Sequence, residues 1–284
     1  MTKKYSFGQM LLSLAKATLY VLLYYASQLI TSLVVQIIYI ASRGGAVSEK
    51  ELGQFIENNT IEIVLASNAI LIILIALISK IRKKTLSENC DVCPIGSGYF
   101  TTTIMGISSQ FAISVVLTFM IAYRLFPESW INNYMSAPMT TTNASMLIKV
   151  LSMGIIAPIA EEIVFRGCIQ KSFNESMPKW AGIILTSFIF AVMHGYEIQV
   201  IYAFIFGILI SWIYSRFDSI VPTILFHIAF NMTSVLMPNI SSYAMLMLGL
   251  GGIYVIIWGI RSICRSTVNG SYKSNHKNDK NDEV

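Results

Sequence analysis

Apolar runs long enough to cross a bilayer recur along this sequence, and in the run at residues 147–169 three charges stand close together: Glu161, Glu162 and Arg166. The only other charge in that run is Lys149, near its edge. Water is scarce at bilayer depth, and an ionisable side chain there costs roughly 2.5–3.5 kcal/mol on insertion scales. Charges so placed need partners inside the protein and mark a functional site by default. The chain is thereby constrained to helices that satisfy their own backbone and turn their polar groups toward one another.

Composition agrees. Of 284 residues 55% are hydrophobic and 12% charged, where a soluble protein carries about 25% charged residues. At about twenty apolar residues per crossing, the sequence predicts an all-α polytopic membrane protein with eight transmembrane helices, over residues 10–40, 61–81, 103–123, 146–173, 180–194, 199–214, 220–236 and 243–263. The apolar stretch after Lys3 and Lys4 is too long for the core of a signal peptide and reads as a retained first span. With the N-terminus inside, the cytoplasmic segments hold Lys3, Lys4, Lys80, Arg82, Lys83, Lys84, Lys171, Lys179, Arg216, Arg261 and Arg265, besides the lysines of the tail. The outer segments hold Arg43, Lys50, Arg124 and Lys149. This asymmetry places both termini in the cytoplasm, in a cell membrane. The net charge of +5 lies beside apolar runs, so it sets topology and implies no nucleic-acid partner.

Three regions follow. Residues 1–145 hold the first three helices and their loops, residues 146–265 form a helical core around the charged motif, and residues 266–284 form a polar tail that reads as disordered. Residues 48–59 suit a helix in an outer loop, and residues 127–143 a longer outer loop whose Trp130 and Tyr134 suit the membrane interface. Cys90 and Cys93 form a lone C-x-x-C with no second ligand pair, and read as incidental loop thiols.

The chemistry-bearing residues fall in the late spans. Glu161 and Glu162 are helix neighbours whose side chains diverge by about 100°, so they cannot do the same work. Glu162 and Arg166 are spaced i, i+4 and can pair on one face. Glu161 is left without a local counter-charge, which suits a general acid–base. His194 ends the fifth span, and His227 with Asn231 projects from one face of the seventh. A lone core histidine is ordinarily a hydrogen-bonded packing residue, but so many polar groups in lipid belong together in one interior. Glu161 with His194 can hold and deprotonate a water, while His227 and Asn231 can donate to an oxyanion. Cys168 shares the Glu161 face but lies about 10 Å along the helix, which makes it a poor nucleophile candidate. Two other readings use the same groups. Glu161, His194 and His227 are enough for a catalytic Zn²⁺ with an open position, although no H-E-x-x-H helix is present. A proton or ion transporter could use them as a relay.

Glu161-Glu162-x-x-x-Arg166, Phe190-x-x-x-His194 and His227-x-x-x-Asn231, in this order on late spans, resemble the CPBP family. This family of intramembrane proteases contains the CaaX prenyl endopeptidases of the Rce type and the bacterial Abi and bacteriocin-processing proteins. The resemblance covers about residues 158–231 and departs at none of the six motif positions. It implies that Glu161 activates water with His194, that His227 and Asn231 stabilise the oxyanion, and that Glu162 and Arg166 support the site. It leaves the metal requirement open between a zinc and a metal-free glutamate mechanism. Enrichment in Ile, Lys and Asn points to an AT-rich bacterial genome, and so to a leader peptide, pheromone or bacteriocin precursor or a protein C-terminus as substrate. A non-proteolytic regulator or immunity protein of the same fold is the alternative. For Glu161 to reach the depth of His194, the fourth helix has to continue past Arg166 to about Phe173, and a water-filled cavity is expected from the cytoplasmic side.

Overall fold

The computed structural model describes residues 5–93, 95, 97–136, 144–237 and 240–268, with the backbone alone for 266–268. Among these residues every regular element is a helix. In order they are α1 Phe7–Ser42, α2 Glu49–Asn58, α3 Thr60–Ile81, α4 Leu86–Cys90, α5 Tyr99–Ala122 and α6 Glu128–Met135. There follow α7 over residues 146–176, α8 Lys179–Val192, α9 Glu197–Phe217, α10 Val221–Leu236 and α11 Ser242–Val268. Five of them, α1, α3, α5, α9 and α11, are long and apolar enough to cross a membrane. Helices α8 and α10 are equally apolar but shorter, with 14 and 16 residues. Much of the outer surface is apolar, as lipid contact requires: Leu11, Leu22, Leu29 and Ile37 of α1 and Tyr254 of α11 are all exposed.

The expected helix through Arg166 is present and runs on to Ser176. It is a composite, with π-helical turns at Val150–Ile156 and Ile163–Gln170 around an α-helical centre, Ala157–Glu162. Pro158 lies at the start of that centre. It has no N–H for the carbonyl four residues back, and its ring crowds that carbonyl. The wider turn immediately before it absorbs the misfit, as π segments do at functional positions. Helix α7 threads the middle of the bundle, against α1, α3, α8 and α10. Helix α8 pairs with α9, and α5 runs along both α10 and α11. The last two contacts need missing side chains. A Cβ on Gly106 would stand 2.2 Å from the carbonyl oxygen of Phe226, and one on Gly252 would stand 2.6 Å from that of Ser108. Small residues at such seams let membrane helices approach backbone to backbone.

The end of the bundle that carries most of the lysines and arginines is locked by polar contacts. Lys171 Nζ lies 2.6 Å from Asp91 Oδ1 and donates also to the carbonyls of Glu88 and Asn89 at the end of α4. Tyr214 donates its hydroxyl to Asp91 Oδ2 at 2.6 Å. At the opposite end Ser48 and Glu51 close a capping box on α2, and the Ser48 N–H donated to Glu51 holds that carboxyl below its usual range.

In three places the structure refines what the sequence predicts. Helix α8 stops at Val192, so His194 stands in the turn beyond it, where Gly195 takes φ +82°. Cys90 closes the short helix α4 rather than lying in a loop, and it is fully buried with its Sγ 3.7 Å from that of Cys168. Residues 266–268 continue α11, while the remainder of the polar tail, 269–284, lies outside the described residues.

The α5–α10 seam can be tested by thermal unfolding in detergent. Gly106→Ala is expected to destabilise by about 1–3 kcal/mol, the usual cost of overpacking. Gly251→Ala, where the added methyl meets open space, is expected to leave the midpoint unchanged or raised.

Candidate active site

The six polar residues singled out in the late helices come together at the centre of the bundle. Glu162 and Arg166, on consecutive turns of α7, have fully buried side chains and pair through Oε1 and Nη1 at 2.8 Å. Arg166 also donates Nη2 to the carbonyl of Gly207 on α9 at 3.3 Å and lies over the Phe190 ring at 4.7 Å. The same Glu162 Oε1 accepts from His227 Nδ1 of α10 at 2.8 Å. One carboxylate oxygen thus joins two helices and two cations or potential cations. Glu162 Oε2 and Arg166 Nε have no hydrogen-bond partner among the described residues.

Glu161 points elsewhere. Its side chain is 16% exposed where that of Glu162 is 0%, and its Oε2 lies 3.7 Å from His227 Nε2. The adjacent glutamates therefore bracket a single imidazole, one at each ring nitrogen. This was not readable from sequence, where Glu161 lacks a local counter-charge. It also defines His227 chemically. A carboxylate bridged to Arg166 only accepts, so the bonded Nδ1 carries hydrogen, and Nε2 donates only when it is protonated as well.

His194 and Asn231 are each fixed by one backbone carbonyl. His194 Nδ1 lies 2.9 Å from the Phe190 carbonyl, which makes Nδ1 the donor and leaves Nε2 free to accept. Asn231 donates one Nδ2 hydrogen to the carbonyl of Met153 at 2.9 Å, which ties α10 to the first π turn of α7 and leaves the second hydrogen free.

Glu161, His194, His227 and Asn231 all line one cavity of about 240 Å³. Glu162 and Arg166 do not line it, and neither does Cys168. Uncharged polar groups complete the wall: Gln110 and Ser114 of α5, Tyr134 of α6, Gln199 and Tyr202 of α9, and Ser234 of α10. The sequence reading did not assign these to the site. A signal was available, because Gln110 and Ser114 are spaced i, i+4 within an apolar span and are hydrogen-bonded at 3.2 Å. Helix α6 is tied to the wall by a hydrogen bond from Asn133 to Glu197 at 3.3 Å.

One expectation fails. The cavity does not lie toward the basic end. Its lining comes from the first half of α7, the end of α8, the start of α9 and the end of α10. The basic side of the motif is packed solid by Phe165, Ile169, Phe173, Ile210 and Phe217. Among the described residues, Glu161, His194 and His227 included, no three His, Cys, Asp or Glu side chains converge as ligands for one ion.

Fold and site together define a multi-pass helical membrane protein with a carboxylate–imidazole cluster in an interior cavity. Residues 143–233, which hold all six polar residues, match the sequence profile of the type II CAAX prenyl endopeptidase Rce1-like family. Over this segment the chain resembles the CPBP, or Rce-type, family. It is also similar to the UPF0177 protein YxdF of Lactococcus lactis subsp. lactis (strain IL1403), 28% identical over 88 residues that cover 31% of this chain and 48% of that protein. The chain thus matches about half the length of this curated relative. No solved structure matches it.

Removing Glu162 strands both of its partners. Glu162→Ala is expected to destabilise the protein by about 3–5 kcal/mol, as for one half of a buried ion pair. Glu162→Leu combined with Arg166→Met is expected to recover much of that loss. Folded yield and unfolding midpoints of both variants in detergent measure the difference.

Proposed function

We propose that this protein is an intramembrane endopeptidase that hydrolyses a peptide bond of a membrane-associated peptide or protein, using water activated by Glu161 and His194. The observation that carries this reading is the division at the cavity wall. Glu161, His194, His227 and Asn231 face the cavity, while Glu162 and Arg166 stand behind it, bonded to what they hold in place. The family match over the same segment supports the reaction class.

In this reading a water donates one hydrogen to the Glu161 carboxylate and the other to the free Nε2 of His194, which aims its lone pair at the substrate carbonyl. As the water attacks, Glu161 takes its proton. The oxyanion accepts the unused Nδ2 hydrogen of Asn231 and a hydrogen from Nε2 of His227. That second donation requires hydrogen on both ring nitrogens of His227. Glu161 then returns the proton to the departing amine. A positioned acid–base contributes about 10²–10⁴-fold, and a lost oxyanion donor costs about 10²–10³-fold.

The proposed topology is eight membrane helices with both termini in the cytoplasm. Helices α8 and α10 are about 21 and 24 Å long at 1.5 Å per residue, shorter than the hydrocarbon core of about 30 Å. Both end beside the polar cavity, where non-helical backbone is tolerated within a membrane. A bacterial plasma membrane fits the composition and the lactococcal relative. The substrate is then a leader peptide, pheromone or bacteriocin precursor, or the C-terminus of a membrane protein.

Glu161→Gln is expected to abolish cleavage, with at least a hundredfold loss, while membrane insertion and the unfolding midpoint stay at parental values. Asn231→Ala is expected to lose about 10²–10³-fold. Peptides accumulating in cells that carry Glu161→Gln, identified by mass spectrometry, reveal the substrate. Unchanged turnover by purified Glu161→Gln would refute the assignment. Retention of the biological role by that variant would favour the regulator or immunity reading.

A further inference from the structure

The side of the membrane from which the site is reached is written in the placement of the cavity relative to the basic residues. Every helix that lines the cavity does so toward the same end of the bundle. Helix α5 contributes Gln110 to Leu117 rather than its start at Tyr99, and α7 contributes Met153, Ala157 and Glu161 from its first half. Helix α8 contributes its end and the His194 turn, α9 its first turns from Gln199, and α10 its last, with Asn231, Ser234 and Val235. Tyr134 of α6 adds to the wall from the connection between α5 and α7. The segments that turn at this end carry few basic residues: Arg43, Lys50, Arg124 and Lys149.

The other end holds the close of α3 with Arg82, Lys83 and Lys84, the close of α7 with Lys171, the start of α8 at Lys179, the close of α9 with Arg216, and the close of α11 with Arg261 and Arg265. Contacts across that end confirm that these termini lie together: Lys171 with Asp91, Lys179 with Asp218, and Ser13 of α1 with Ser176 of α7. Basic residues in short loops beside spans stay in the cytoplasm. Apolar packing and the buried Glu162–Arg166 pair separate that end from the cavity.

We infer that the cavity opens to the extracytoplasmic side, and that the substrate is a peptide segment presented there: an exported chain or the outer part of a membrane-anchored one. This rests on the endopeptidase reading for the word substrate, but the sidedness stands on charge and geometry alone. The lining suits such a segment. Apart from Glu161 and the two histidines it is uncharged, and Gln110, Ser114, Gln199, Tyr202 and Asn231 offer hydrogen bonds to an extended backbone. A second cavity of about 290 Å³, almost wholly apolar, lies between α5, α9 and α11 and shares Ile113, Leu117, Tyr202 and Phe206 with the first. A large apolar side chain beside the scissile bond fits there. An uncharged, partly apolar segment is also the kind that can lie in an outer leaflet.

Single cysteines test the sidedness in the full-length chain, with Cys93 and Cys264 replaced by alanine and the buried Cys90 and Cys168 retained. Ser234→Cys reports from the cavity wall, Asn132→Cys from α6, and Lys84→Cys from the basic end. In intact cells a membrane-impermeant maleimide is expected to label Ser234→Cys and Asn132→Cys as fully as in permeabilised cells, and Lys84→Cys only after permeabilisation. The reverse pattern overturns the inference, as does labelling of Ser234→Cys only after permeabilisation. A quenched fluorescent library of uncharged decapeptides, added to membrane vesicles of each orientation, is expected to be cleaved by right-side-out vesicles and spared by inside-out ones. Cleavage by inside-out vesicles alone overturns the inference while upholding the protease. Cleavage by neither, nor by detergent-solubilised protein, counts against the protease, and the labelling pattern alone then decides the side.

Discussion

A single carboxylate oxygen, Glu162 Oε1, organises the centre of this protein. It sits 2.8 Å from Arg166 Nη1 and 2.8 Å from His227 Nδ1, with the carboxylate and guanidinium wholly buried. A buried charge is tolerated only when it is paired and hydrogen-bonded, and each of the three groups depends on the other two. Arg166 extends the network to α9 through the Gly207 carbonyl. His227 places α10 against α7, and Asn231, one turn further on, repeats that tie at the Met153 carbonyl. Three helices that contribute to the cavity are thereby held by polar contacts in a setting where apolar packing alone gives little directional preference.

The same network accounts for the asymmetry between neighbouring glutamates. The i, i+4 spacing commits Glu162 to Arg166, and the turn of the helix then sends Glu161 to the other side of the His227 ring. Around this fixed core the backbone is irregular where it borders the cavity: π turns in α7, the Gly195 turn after α8, and the short helices α8 and α10. Such departures from regular helix persist in a membrane when they are buried in protein or line a polar space.

Much of the fold was legible because the membrane imposes strong local rules. Each expected span coincides with a helix to within a few residues, and the continuation of α7 beyond Arg166 follows from the need to match depths on different helices. The polar residues of the site were legible for the same reason, since charge and imidazole in an apolar run have no bland explanation. Gln110, Ser114, Tyr134 and Tyr202 were not, because uncharged polar side chains are common in membrane helices and nothing local separates a cavity wall from a packing seam. The Cys90–Cys168 approach was hidden too, because it joins a short loop helix to α7 across 78 positions in sequence.

The sequence by itself determined the class of fold, the pairing of Glu162 with Arg166, and the set of residues that had to meet. These follow from helical periodicity and from the cost of placing charge in hydrocarbon, both of which act over a turn or two of chain. Only the tertiary structure decided that His227 lies between the two glutamates, that its Nδ1 rather than its Nε2 binds Glu162, and that the cavity lies away from the basic end. Those outcomes depend on the rotation and depth at which separate helices pack, and bulky apolar side chains such as Phe165 and Phe173 fill one side of the motif and leave the other open.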